Sequence, residues 1–100
     1  MKRKIIAQAE DPKGEQYAFC WLPQRKDFVH WIVNDNQEYY LGRYFPHLEQ
    51  ALEDFEYRIQ ADDDRTEIDW KIPAKEWNEC QIRLFYALED KEVSNNERKD

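Results

Sequence analysis

Apolar and polar positions alternate along much of the first half of the chain and then change to a helical period. Residues 17–22 (YAFCWL) set Tyr17, Phe19 and Trp21 on one side and Ala18, Cys20 and Leu22 on the other, the two-residue period of a strand. Residues 28–33 (FVHWIV) are richer still in β-branched and aromatic side chains, with Val29, Trp31 and Val33 opposite Phe28, His30 and Ile32. Residues 39–45 (YYLGRYF) return as the next strand. Between the two, Asn34-Asp35-Asn36 supplies short side chains that tolerate left-handed backbone, so a hairpin is predicted. Gly42 in mid-strand predicts a bulge or the close approach of another group. Upstream, residues 4–9 (KIIAQA) predict a short first strand in spite of poor alternation, and Asp11-Pro12-Lys13-Gly14 closes it with a turn.

From 47 to 60 the period lengthens. Leu48, Ala51, Leu52, Phe55 and Ile59 fall within roughly a 100° arc of a helix. Pro46 suits a first turn, where its missing N–H has no partner to lose. Glu49, Glu53 and Glu56 share one flank and read as a solvated face, with Asp54 and Arg58 spaced as an i,i+4 pair. A helix this short is marginal alone in water, so its stripe is expected to pack on the strands before it. Those strands are apolar on both faces. The opposite face then wants a cover from the C-terminal segment, a second subunit or a ligand.

Beyond an acidic break at 61–65, Ile68, Trp70 and Ile72 alternate as a short edge strand or crossing segment. Pro73 then opens a second helix over about 74–88. Its apolar face reads as Trp77, Cys80, Leu84, Phe85 and Leu88, with Ile82 and Tyr86 on the far side. Residues 91–100 read as a polar, flexible tail. The prediction is one α+β domain over 1–90, with an antiparallel sheet of three to five strands packed by the 47–60 helix.

Composition sharpens this picture. Aromatics at 15% argue for a packed chain, and 37% charged residues demand a compact core under an ionic surface. The net charge is −7. Residues 61–100 carry twelve acids against seven bases, so the acidity is mainly C-terminal. Such a field repels phosphate backbones and favours a basic partner. The opening MKRKIIAQAEDP turns acidic after a few apolar residues, which fits no secretory leader, and nothing approaches a membrane span. Cytoplasmic placement with free thiols is expected, because Cys20 and Cys80 match no metal or disulfide pattern.

Few residues offer chemistry. His30 and His47 are the only histidines, and neither stands beside other ligands at zinc spacing; His30 reads as a packed or hydrogen-bonded strand histidine. Ser94 and Thr66 are the only hydroxyl nucleophiles besides the tyrosines, and two glycines are too few for a phosphate-cradling loop. Asp62-Asp63-Asp64 lacks the glycine and distal glutamate of a calcium loop. No enzyme, metal site or cofactor is expected.

The aromatics carry the functional expectation. Trp21, Trp31, Tyr40 and Tyr44, with Arg43 for charge, make the candidate interaction surface on the sheet. The reading is a small non-catalytic interaction or regulatory module, binding a protein partner or itself as a homodimer. The alternative is a nucleic-acid binder that stacks bases on the same rings, with Arg25 and Lys26 adding charge; the net charge speaks against it. The order strand, turn, strands, then a helix reading LEQALEDFEYRI resembles the HicB-type antitoxins, over about half the chain. That resemblance implies a partner toxin and no catalysis. The tryptophan-rich strands and long hairpin depart from it.

Overall fold

A computed structural model describes the chain over residues 2–99 and its side chains over residues 2–89. Among these, five strands and two helices follow in the order β1 (Lys4–Glu10), β2 (Gln16–Leu22), β3 (Asp27–Val33), β4 (Tyr39–Phe45), α1 (Leu48–Arg58), β5 (Glu67–Trp70) and α2 (Glu79–Lys99). The strands form one antiparallel sheet, ordered β4-β3-β2-β1-β5. This is the α+β architecture the periodicities predict. The short alternating segment after the acidic break is β5, an edge strand paired with β1.

The pleat assigns the faces as the alternation requires. Tyr17, Phe19, Trp21 and Phe28 join Leu48, Ala51 and Phe55 of α1, and Ile59 at its C-cap, in the main core. Phe19 and Phe55 stack at 4.9 Å, which fixes the depth at which α1 lies on the sheet. Leu52 sits at the margin of the stripe, partly buried against the same cluster. The poor alternation of β1 has a physical cause. Its register shifts between Ile5 and Ala7, and the bulge turns both Ile6 and Ala7 into the core.

The opposite face is not bare. Ala18, Cys20, Leu22, Val29 and Trp31 form a second buried cluster with Ile5, Val33 and Tyr39 packed against it. The Arg3 guanidinium lies over the Tyr39 ring at 4.2 Å and the Trp31 ring at 5.8 Å. At β4 both readings of Gly42 hold. The β3–β4 register shifts between His30 and Ile32, and a Cβ at Gly42 would stand 2.5 Å from Trp31 Nε1.

Two boundaries differ from expectation. Pro46 precedes the N-cap, His47, and lies just outside α1. His47 makes no side-chain cap; instead Glu79 Oε1 accepts the Leu48 N–H at 2.9 Å, from 31 residues downstream. The second helix begins at Glu79, not near 74. Asn78 and Gln81 cap it reciprocally: Gln81 N–H donates to Asn78 Oδ1 at 3.0 Å and Asn78 N–H to Gln81 Oε1 at 2.9 Å. Its expected apolar face is inverted. Ile82 and Tyr86 are buried, while Leu84, Phe85 and Leu88 are exposed. Arg83 lies over the Trp21 ring at 4.8 Å and the Tyr86 hydroxyl donates to the Ile5 carbonyl at 2.8 Å, which sets the rotation of the helix. The tail expected over 91–100 falls outside the described side chains.

Candidate functional site

The five residues singled out from the sequence do not share one surface. Trp21 is 4% exposed and lies in the α1-side core, 4.7 Å from Phe28. Trp31 is 7% exposed on the opposite face, its ring across Gly42 and edge-on to Tyr44 at 6.1 Å. Both tryptophans are core residues, because the register turns them inward on opposite faces.

Tyr40, Arg43 and Tyr44 lie on one strand, β4. This strand is at the edge of the sheet, with β3 on one side and, among the described residues, no strand on the other. Tyr40 and Arg43 pair with Ile32 and His30, and so project on the α1 side; Tyr44 pairs with Val29 and projects on the other. Tyr40 and Tyr44 are both exposed, and Leu41 between them is 65% exposed. Leu41 also has φ 52°, a left-handed conformation that branched L residues rarely adopt. Arg25 stacks on Tyr44 at 4.4 Å. No acid occurs from Tyr39 through Leu48, and the carboxylates that face the two arginines come from neighbouring segments, Asp54 at 3.3 Å from Arg43 and Asp27 at 3.4 Å from Arg25.

Directly beneath it lies a closed polar cluster. His30 is fully buried, with Nε2 2.8 Å from Asp54 Oδ2 and Nδ1 3.2 Å from Arg58 Nη1. A carboxylate only accepts and a guanidinium only donates, so His30 carries its proton on Nε2 and accepts at Nδ1. Arg58 donates also to the His30 carbonyl at 3.3 Å, and Arg43 reaches Asp54 at 3.3 Å. Burial pushes the imidazole down from 6.5 to about 4, against the opposing pull of the Asp54 hydrogen bond. With both nitrogens engaged and no exposure, this imidazole is held for structure and cannot reach a bound substrate. Cys20 is likewise buried, and burial pushes its thiol up to about 12, far from a reactive thiolate.

The chain matches no known protein family, curated protein or solved structure. The resemblance to HicB-type antitoxins therefore gains no family support, and function is argued from the geometry alone.

Among the described residues, no three His, Cys, Asp or Glu side chains converge to hold a metal ion. No helix there is long and apolar enough to cross a membrane. A shallow concavity of about 410 Å³ on the second face is lined by the exposed polar groups of Gln8, Gln16, Glu67 and Asp69, with no common focus, beside the half-buried Tyr39. Sequence reasoning missed Leu41. Its signal was available: an apolar side chain one position before a mid-strand glycine, where a bulge throws it outward.

Proposed function

We propose that the protein is a small, non-catalytic interaction module whose contact surface is the outer edge of β4. The observation that carries this is Leu41, a large aliphatic side chain held in strained backbone and turned to water between two exposed tyrosines. Outliers of that kind persist where they are used, and an unpaired strand edge offers backbone donors and acceptors to an extended segment of a partner. Arg43 and Arg25 flank the edge, each already facing a carboxylate of the chain, Asp54 at 3.3 Å and Asp27 at 3.4 Å, so the contact is carried by the exposed side chains and the open backbone edge and not by charge. A reducing, cytoplasmic setting fits two unpaired thiols.

The test is affinity capture from native lysate with the wild type and with Leu41→Lys. A partner retained by the wild type and lost with Leu41→Lys supports the reading; identical captures overturn it. A second reading, single-stranded nucleic acid stacked on Tyr44, is favoured by the Arg25–Tyr44 stack alone. Retention on heparin at low salt, lost as salt rises, would select it.

A further inference from the structure

The second surface lies on the other flank of α1. Leu52 leaves the core stripe at its margin and keeps one side open, while the turn after Pro73 lays Ala74 and Trp77 alongside. Two adjoining hollows, of about 610 and 580 Å³, share Glu49, Leu52 and Lys75 and run together as one groove. Its floor is apolar, formed by Leu52, Ala61, Ala74 and Trp77. Its rim is acidic. Lys75 is already taken by Glu56 at 2.6 Å, and among the described residues no cation answers Glu49, Glu53 or Asp62, all exposed. Past Trp77, which contacts Phe85 at 5.6 Å, the apolar track continues along the exposed face of α2 through Cys80, Leu84 and Leu88.

We infer that this groove docks a basic amphipathic helix of another protein, its apolar face on Leu52 and Trp77 and its Lys or Arg residues against Glu49, Glu53 and Asp62. An apolar floor between charged rims is what helix-in-groove recognition uses. A second copy is the wrong occupant. Its own α1 carries Glu49, Glu53, Asp54 and Glu56 against a single Arg58, and each copy brings a net −7 to the contact. This surface is separate from the β4 edge, so either may fail without the other.

The probe is an 18-residue amphipathic peptide of Leu and Lys, titrated calorimetrically into the full chain, beside a scrambled peptide of the same composition. The expected result is saturable 1:1 binding that the scrambled peptide lacks. Glu49→Lys with Glu53→Lys should weaken it at least tenfold, and both positions are exposed, so the fold is spared. The charge-matched control Glu67→Lys with Asp69→Lys, on the far edge strand, should change it less than twofold. Equal losses in the two double variants, or equal binding of the scrambled peptide, would reduce the attraction to net charge and overturn the site. Light scattering that shows a dimer dissolved by Glu49→Lys with Glu53→Lys would give the groove to a second copy, and overturn it too.

Discussion

At Gly42 the missing side chain is what lets the Trp31 indole lie flat against an edge strand. A methyl group there would overlap Trp31 Nε1 and Cδ1 and stand 3.1 Å from the Tyr44 ring, which packs edge-on against the same indole. Gly42→Ala is expected to cost about 1–3 kcal/mol, read as a lower urea midpoint at unchanged slope. Leu41, one residue earlier, should behave in the opposite sense. Leu41→Gly relieves a left-handed branched residue and is expected to raise stability by roughly 1 kcal/mol, while partner capture falls. His30 gives the molecule a pH dependence of defined sign. Its folded pKa, about 4, lies below the unfolded 6.5, so the unfolded chain takes up the proton first. Stability from this group is complete above pH 6.5 and is lost as pH falls toward 4, by roughly 3 kcal/mol at most for that shift. Denaturation midpoints of the wild type should therefore drop more steeply over that window than those of His30→Leu. The buried histidine was legible in the strand pattern. Its partners were not, because Asp54 and Arg58 at i,i+4 read as a pair for each other, and only the docked helix turns both toward the ring.

At the scale of elements, what the periodicity encodes strongly is what formed. The α1 stripe and the two-sided alternation of β2 and β3 carry their faces in sequence, since each side chain's direction follows from its position in the period. The first strand hid its faces behind a bulge, which breaks the period by one residue. Helix α2 misled for a different reason. It has apolar side chains around most of its circumference, so its rotation is decided by partners that lie far away in sequence: Ile5 for Tyr86, Trp21 for Arg83. Its start was readable in the Asn78–Gln81 pair, a cap signal outranked by Pro73. The orientation makes a sharp contrast. Ile82→Ala should cost about 2–5 kcal/mol as a core truncation, whereas Leu84→Ala should stay within about 0.5 kcal/mol, both by thermal or urea unfolding.

Over the whole molecule, apolar side chains on both faces of the sheet are buried. Among the described residues, two margins stay open and differ in character: an aromatic edge at β4 and an acidic groove along α1. Sequence charge counts could not reveal this division, because they sum over the chain what the fold separates in space. One residue ties the two helices into a single unit. Glu79, at the head of α2, stoppers the open amide end of α1 through Leu48, so a ligand that levers the C-terminal rod aside also uncorks the helix seated on the sheet. The Leu48 amide is the gauge of that event: in Glu79→Ala its hydrogen exchange should quicken severalfold while the β2 amides hold their protection, and binding along the groove would be felt beneath the sheet without touching it.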